Sequence, residues 1–318
     1  MFMKRLFWIL LTILLLPDAW GCACGCGIFN LAVPGLPNSY HPDILSLQYS
    51  RMNQDETDQG ERHASGQLNP DKQIDTGFFN LTAQHRFTRS WSMMLMIPVW
   101  KRHFVTDVQG SVGFLDPSPM IESTDVTALS DLRVTAIYSG FSEDMSQGIE
   151  FGFKLPTGST HAGARYQGSP LLDRDTQPGT GTTDALMGGY WVGNWSTSGW
   201  FMQALYRRAL NRYEGYRPGD SLNASLGIHE DAWLTTTHLM PMLQINAQWR
   251  SHDQGGGDAQ YQNANSGYNN LFLTPGLQAN LSDHWMANAM LYIPLQRHVH
   301  GFQQVAALLW NVGISRFF

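Results

Sequence analysis

The sequence predicts an all-β protein, a transmembrane antiparallel β-barrel of about twelve strands. Charged residues make up only 14% of the 318 residues, against about 25% in typical soluble domains. A mean hydropathy of -0.24 is nevertheless too polar for a helical membrane protein. It fits strands that turn one face to lipid and the other to water. Segments of alternating apolar and polar residues recur along the chain and are joined by connections of two distinct lengths.

Residues 1–21 are predicted to be an export signal peptide. Lys4 and Arg5 precede a short apolar segment at 6–16, and residues 19–21 (Ala-Trp-Gly) supply small residues where a signal peptidase reads. The alternative is an uncleaved N-terminal anchor. No later apolar segment approaches the roughly 20 residues that a spanning helix needs. The remaining chain is predicted to form a periplasmic lead that contains cysteines (22–43) and an outer-membrane barrel (44–318).

Twelve segments have the period of two that is typical of strands. Most have about the 9–11 residues that a tilted strand needs to cross a bilayer. In one of them, Ile149, Phe151 and Phe153 share one face, and Glu150 and Lys154 share the other. The predicted strand cores are 44–51, 77–87, 91–102, 128–139, 148–156, 184–194, 200–210, 221–230, 239–250, 270–281, 285–295 and 305–318.

Short and long connections alternate along the chain, as they do between the periplasmic turns and outer loops of outer-membrane barrels. The predicted long loops are 52–76, 103–127, 157–183, 211–220, 251–269 and 296–304. The turn at 231–238 is longer than the pattern requires. Aromatic residues flank the short turns and predict a girdle at the membrane interface. They are Phe87, Trp91, Trp195, Trp200, Trp233 and Trp285.

The last segment is an apolar alternation that reaches Phe318. Asn311, Gly313 and Phe318 match the pattern of final strands in bacterial barrels, in which a terminal aromatic residue is read by the insertion machinery. Arg316 occupies a position where an aromatic or aliphatic residue is usual. We therefore expect the protein in the outer membrane of a Gram-negative bacterium. Its expected partners are the insertion machinery, outer-membrane lipid and lipopolysaccharide.

Several short motifs resemble one family of outer-membrane barrels. The motifs are Ser130-Asp131-Leu132-Arg133, Lys154-Leu155-Pro156-Thr157-Gly158, Gln177-Pro178-Gly179-Thr180-Gly181 followed by Asp184, and the strand ends Met96-Ile97-Pro98 and Tyr292-Ile293-Pro294. Over about residues 75–318 the chain resembles proteins labelled as transporters of the phenol meta-cleavage (MetA) pathway. The resemblance implies a barrel of this strand number and a channel role, often for small hydrophobic or aromatic compounds.

All three cysteines, Cys22, Cys24 and Cys26, follow the predicted cleavage point directly. Three interpretations remain open. Cys22 is a candidate for lipidation, since Gly21 suits a lipobox. Three thiolates also suit a soft metal ion such as Cu(I) or zinc, although the spacing is not the C-x2-C of zinc sites. In an oxidising compartment the cysteines also form disulfides, within the chain or with a partner. No other cofactor is expected.

Seven polar side chains are predicted to line the barrel lumen: Asp131, Arg133, Glu150, Lys154, Arg207, His229 and Arg250. Because an unpaired buried charge is costly, we expect opposite charges on neighbouring strands to pair across the lumen. The pairs either fill a narrow barrel or line a pore and select among solutes.

The chain is not expected to be an enzyme, because it contains neither a Gly-x-Ser-x-Gly elbow nor a His-Glu-x-x-His motif. Nucleic acid is not an expected partner either, since the net charge is -6 and the basic residues are scattered. The predicted function is passive passage of a small solute through a polar lumen that loop 157–183 gates. The alternative is a non-transporting surface barrel whose cysteine segment binds metal or acts in redox chemistry.

Overall fold

The structure, a computed structural model, describes residues 43–65, 69–108, 120–255 and 263–318. The predicted signal peptide, the three cysteines and nearly all of the predicted periplasmic lead lie outside these ranges.

The described residues form a closed antiparallel barrel. Its strands are β1 (Asp43–Gly60), β2 (Arg62–His63), β3 (Asp71–Arg86), β4 (Trp91–Asp107), β5 (Ile121–Leu129), β6 (Arg133–Tyr138), β7 (Gln147–Lys154), β8 (Arg165–Tyr166), β9 (Ser169–Pro170), β10 (Asp184–Trp195), β11 (Ser198–Ala209), β12 (Ser221–Glu230), β13 (Leu239–Arg250), β14 (Tyr268–Ser282) and β15 (Trp285–Phe317). Eleven of them form the closed path β1, β3, β4, β6, β7 and β10 to β15, and the β15–β1 pairing closes it. Strands β2 and β5 pair beside this path, and β8 and β9 form a separate small hairpin.

Strand β15 contributes two passes of the wall. Its first half pairs with β14, from Trp285 to Val299, and its second half pairs with β1 as far as Phe317. The chain turns at Gly301, whose φ of 62° suits a residue without a side chain. The predicted loop at 296–304 is therefore a tight hairpin. Counted as passes, the wall has twelve, and the predicted barrel of about twelve strands is confirmed.

The predicted strand at 128–139 is interrupted. Strand β5 pairs with the half of β4 that lies towards the long loops, and β6 pairs with the half next to the short turns. The end of the barrel that carries the long loops is called the outer end below. Residues 130–132 separate the two strands, at the point where Ser130 N donates to Pro98 O at 2.8 Å. Pro98 has no N–H with which to continue the ladder. Strands β4 and β5 extend to Asp107 and Ile121, so part of the predicted loop 103–127 is strand.

Two other connections also differ from the expected pattern. The hairpin of β1 and β3 extends to Gly60 and Asp71, so most of the predicted loop 52–76 is strand. The turn at 231–238 contains a single helical turn, α1 (Leu234–Thr237). No helix within the described ranges is long and apolar enough to cross a membrane.

The outer face of the wall carries a continuous band of exposed apolar side chains, as lipid contact requires. It includes Leu45, Leu47, Phe79, Leu81, Met93, Leu95, Phe151, Phe153, Met187, Leu222, Leu226, Leu243, Ile245, Leu277, Leu291, Ile293, Val312 and Ile314. The six aromatic residues of the predicted girdle lie at the strand ends next to the short turns, or, for Phe87 and Trp233, within a turn. The fold is that of an outer-membrane β-barrel.

Arg316 has a structural explanation at the edge of this apolar band. Its guanidinium carbon lies 4.6 Å from the centre of the Phe318 ring and 5.5 Å from that of Trp285. A guanidinium stacked on aromatic faces is weakly hydrated and is attracted by the ring electrons. The cation is thus accommodated next to the short turns at a position where an apolar residue is usual.

Candidate functional site

Between β5 and β11 the strands of the barrel wall end early, so the wall is short there. Strand β7 ends at Lys154 and β10 begins at Asp184, whereas β5 continues outward and pairs only with β4 among the described residues. Residues 155–183, here called the lumen loop, lie beside the free edge of β5. Ser159 N donates to Leu129 O at 3.2 Å, and Ala164 N donates to the Thr124 hydroxyl at 2.9 Å. A folded loop therefore replaces a regular strand at this place in the wall.

A single buried carboxylate holds both ends of the lumen loop. Asp131 lies in the interruption between β5 and β6 and is 3% exposed. Its Oδ1 accepts a hydrogen bond from Gly158 N at 3.0 Å. Its Oδ2 accepts from Thr180 N at 2.9 Å and from the Thr180 hydroxyl at 2.7 Å. Hydrogen bonds to an ionised acceptor are among the strong ones, so Asp131 is the main anchor of the loop.

Lys154 completes a buried charge cluster, which consists of Asp131, Lys154, Asp184 and Arg207. Lys154 Nζ lies 2.6 Å from Asp131 Oδ2 and 3.3 Å from Asp184 Oδ2, and it donates to Thr182 O at 3.0 Å. Arg207 Nε lies 3.7 Å from the same Asp184 oxygen. Two cations thus offset two anions, which is the condition under which charges tolerate burial.

Three of the motifs that carry the family resemblance meet at this cluster. Asp131, Lys154 and Asp184 each belong to one of them, and the loop segments that follow or precede them contain Gly158 and Gly179. A Cβ atom on Gly179 would lie 2.3 Å from the backbone carbonyl of Gly158. No side chain fits there, so the glycines allow the two ends of the lumen loop to pass in contact.

The middle of the lumen loop packs inside the barrel. Leu172 is 1% exposed and is surrounded by inward-facing apolar side chains of three strands. The members of this cluster are Ile74, Phe104, Val126 and Leu172. The loop therefore fills the outer part of the lumen instead of extending away from the barrel.

Two arginines attach the outer part of the lumen loop to its surroundings. Arg102, which is buried on β4, donates Nη1 to the Thr176 carbonyl. Arg174 lies over the rings of Tyr216 and Tyr213, at 4.7 and 5.5 Å from their centres. These rings belong to the loop between β11 and β12, so two loops close the outer end of the lumen together.

Two titratable groups at the outer end are strongly perturbed. Burial, together with the negative charge of Asp175 in the lumen loop, raises the pKa of Asp71 to about 7. Burial next to His252 and His298 lowers the pKa of His300 to about 4. The rings of His252 and His300 are tilted by 36° to each other, with centres 3.8 Å apart.

Of the predicted charge pairs on neighbouring strands, Lys154 and Asp131 form a direct contact. Arg133 lies opposite Lys154 in the register of β6 and β7. The Glu150 carboxylate lies over Gly188, where an added Cβ would come within 2.8 Å of its Oε1.

His229 and Arg250 have partners close in sequence. His229 Nδ1 lies 2.8 Å from Asp231 Oδ1. Arg250 Nη2 donates to Asp253 Oδ1 at 2.5 Å. Sequence reasoning missed Asp184 as a member of the charge cluster, and it missed Asp253, which also accepts from the Tyr216 hydroxyl at 2.7 Å. The local signal for Asp184 was its place after the glycine-rich motif.

Below the lumen loop, apolar side chains point into the barrel. One buried cluster consists of Met52, Phe78, Trp100, Phe272, Met290, Tyr292, Ala306 and Leu309. Next to it, a cavity of about 610 Å³ opens among the short turns of β11 to β15, where it is lined by Phe201, Met242 and Phe317 among others. The interior thus combines a polar, charged wall on one side with an apolar, aromatic wall on the other.

The sequence also suggested metal binding by Cys22, Cys24 and Cys26, which lie outside the described residues. Within the described ranges, no group of three or more His, Cys, Asp or Glu side chains is arranged to hold a metal ion.

No protein-family model matches the chain, and no curated protein matches it in sequence. Its fold is similar to the COG4313 outer membrane channel from Pseudomonas putida F1, with a TM-score of 0.62 and 12% identity over 87% of this chain and 96% of that one. The CymD monoaromatic hydrocarbon channel aligns with a TM-score of 0.47 and 7% identity over 87% and 89% of the two chains. The toluene transporter TodX of P. putida aligns with a TM-score of 0.41 and 8% identity over 87% and 90%. At these identities the similarity concerns the fold.

Proposed function

We propose that the protein lets small solutes, apolar or aromatic ones in particular, pass passively across the outer membrane, and that the lumen loop gates the passage. The observation that carries the proposal is the attachment of this loop inside the barrel by one buried carboxylate, Asp131. The COG4313 outer membrane channel, whose fold is similar with a TM-score of 0.62, is itself described as a channel.

A loop held in this way can move without unfolding the barrel. Strands of the wall share continuous ladders of backbone hydrogen bonds, whereas the lumen loop is attached to the wall mainly by side chains such as Asp131, Arg102 and Leu172. Elements with few backbone bonds to their surroundings open at lower free energy than the core of a fold. Displacement of residues 155–183 would open the outer end of the lumen. It would also open the gap in the wall beyond the end of β7.

The lining supports an apolar or aromatic solute. Lumens of outer-membrane barrels are usually polar, but here Phe78, Trp100, Phe272 and Tyr292 are buried inside the barrel. Ligand sites for small molecules are mostly apolar, with a few polar groups that set orientation. The cavity of about 610 Å³ next to this cluster is in the size range of such sites.

This proposal requires that the protein lies in the outer membrane. The chain would be exported through cleavage of residues 1–21, inserted by the barrel-insertion machinery through its last strand, and surrounded by outer-membrane lipid and lipopolysaccharide. We propose no catalytic role. Lumen-lining roles for Arg133, Glu150, His229 and Arg250 belong to this proposal.

Solute entry into protein-containing liposomes tests the function. The wild-type barrel should admit a small aromatic acid faster than a neutral sugar of similar mass. A variant in which a Gly-Gly link replaces residues 160–176 should admit both faster, because Gly158 and Gly179 already lie in contact. Equal entry into liposomes with wild-type protein and without protein, with a correctly folded barrel, would contradict the proposal.

The rival function, a surface barrel in which the cysteine segment acts, predicts a different outcome. Replacing Cys22, Cys24 and Cys26 by serine should leave solute entry unchanged if the lumen conducts. The rival is favoured if cells with the serine variant lose the phenotype that the wild-type protein confers, whereas cells with the loop-shortened variant keep it.

A further inference from the structure

An apolar groove runs along the lipid-facing side of the wall next to the short turns, where the end of β15 lies beside β1, β3 and β4. Its volume is about 680 Å³. The groove belongs to the exposed apolar band, so it is separate from the lumen and from the proposed gate. Its lining includes Leu45, Ala83, Phe87, Met93, Leu95 and Phe318.

The groove forms because a small residue lies between two large ones. Leu45 on β1 pairs with Ala83 on β3, and Ala83 pairs with Leu95 on β4. Neighbouring strands lie about 4.8 Å apart, so the two strands that carry the leucines are about 9–10 Å apart. Both leucines are exposed, and Ala83 forms the floor between them. A hydrocarbon chain that lies along β3 therefore contacts apolar side chains on three sides.

Polar groups lie at the end of the groove that is closest to the short turns. Asp43 pairs with His85 in the register of β1 and β3, and His85 Nδ1 lies 2.6 Å from Asp43 Oδ1. The His85 ring packs edge-on against Phe87, with ring centres 4.6 Å apart. These contacts orient the Asp43 carboxylate, although its side chain remains 40% exposed. The carboxylate can therefore accept hydrogen bonds from a molecule in the groove.

Arg316 supplies the opposite charge beside the same groove. It lies opposite Leu45 in the register of β15 and β1, and it is exposed. Its guanidinium carbon is 4.6 Å from the centre of the Phe318 ring, which lines the groove. A guanidinium binds phosphate well because it donates two parallel hydrogen bonds. A cation and a carboxylate thus flank the end of the groove, and this arrangement is complementary to a zwitterionic headgroup.

We propose that the groove binds a phospholipid with an ethanolamine headgroup, from the leaflet on the side of the short turns. One acyl chain lies over Ala83, the phosphate contacts Arg316, and the primary ammonium donates to Asp43. A primary ammonium has three N–H donors, whereas the quaternary ammonium of choline has none. An anionic glycerol headgroup brings no cation to Asp43. The proposal requires only that the barrel lies in a membrane, and it does not depend on conduction through the lumen.

Native mass spectrometry of the full chain, folded in detergent, tests the site with dilauroyl phospholipids as probes. One phosphatidylethanolamine per barrel should remain bound under conditions that remove phosphatidylcholine and phosphatidylglycerol. Ala83→Phe, which fills the groove between the two leucines, should abolish this retention. The control Ala224→Phe places the same ring on the lipid-facing side of β12 and should leave retention unchanged.

Two further measurements test the headgroup and the position of the lipid. Asp43→Asn should lower the preference for phosphatidylethanolamine over phosphatidylcholine about two- to fivefold, which is the range of an exposed ion pair. Phosphatidylethanolamine with a diazirine in its acyl chain should label Leu45, Ala83 and Leu95 of the wild-type barrel, a result that requires no substitution.

Several results would overturn the inference. Equal retention of the three lipids, unchanged retention by Ala83→Phe, or labelling spread evenly around the barrel would indicate surrounding lipid without a site. Binding that occurs only after removal of residues 22–40 would show instead that the preceding segment covers the groove. Heat-modifiable gel migration verifies that each variant is folded.

Discussion

Replacing Lys154 by methionine tests the buried charge cluster directly. Lys154 Nζ contacts Asp131 and Asp184 at 2.6 and 3.3 Å, and the lysine is 2% exposed. The substitution keeps the apolar stem but leaves two carboxylates facing each other without their shared cation. Breaking a buried ion pair by removal of one partner costs about 3–5 kcal/mol.

The remaining partners place the expected cost at the lower end of that range. Asp131 keeps its hydrogen bonds from Gly158 and Thr180, and Asp184 keeps Arg207 and the Thr182 hydroxyl at 2.6 Å. We therefore expect Lys154→Met to lower the free energy of unfolding by about 3 kcal/mol.

Urea unfolding in lipid vesicles, followed by tryptophan fluorescence, measures this change. The control is Lys101→Met, an exposed lysine on β4, which should change stability by no more than about 0.5 kcal/mol. A cost below about 1 kcal/mol for Lys154→Met would refute the ion-pair account. The double variant Lys154→Met/Asp131→Asn should show a coupling energy of about 0.5–3 kcal/mol, since the two side chains are in contact.

Three further predictions concern the lumen loop. Gly179→Ala should release the loop and raise conductance in planar bilayers, because its Cβ would lie 2.3 Å from the Gly158 backbone. Leu172→Ala should destabilise the docked loop by about 2–5 kcal/mol, seen as faster hydrogen exchange over 160–180, whereas the exposed Leu210→Ala should have no such effect. Because burial and Asp175 raise the pKa of Asp71 from 3.8 to about 7, the docked loop binds this proton more tightly than the undocked loop. Docking should therefore weaken as pH rises from about 4 to about 7, with no further effect above that. Hydrogen exchange corrected for its intrinsic pH dependence should show this trend in the wild type and lose it in Asp71→Asn; an identical trend in both proteins would contradict the assignment.

The barrel itself was predictable because its signal is local. A period of two places alternate residues on opposite faces of a strand, so lipid-facing residues such as Phe151 and Phe153 were separated correctly from Glu150 and Lys154. The length of each segment and the short polar turns then predicted the number of strands and the end of the barrel at which each turn lies.

The interruption at 130–132 was not predictable from local pattern. Residues around it alternate like a strand, but Asp131 bonds to Gly158 and Thr180, which lie 27 and 49 positions away. These bonds outweigh a few ladder hydrogen bonds, because they satisfy a buried charge. The motif residues indicated a family, whereas their convergence on one carboxylate required the three-dimensional arrangement.

The apolar lining of the lumen was hidden for a related reason. Phe78 and Phe79 are adjacent in sequence, yet the first is 3% exposed inside the barrel and the second is 41% exposed on its outer face. Apolar residues on both faces make the alternation harder to recognise, and the sequence analysis predicted a polar lumen.

Reversible tethering of the lumen loop tests the central claim most directly. Ile74→Cys and Leu172→Cys, introduced together in the chain without Cys22, Cys24 and Cys26, place thiols in one buried cluster. A cleavable bismaleimide would hold the loop in the lumen, and single-channel recording would follow the same barrels before and after cleavage. We predict that tethered barrels are closed, that cleavage restores opening, and that Ile74→Cys alone is insensitive to the reagent. Equal conductance with the loop tethered and released would contradict a gate at residues 155–183.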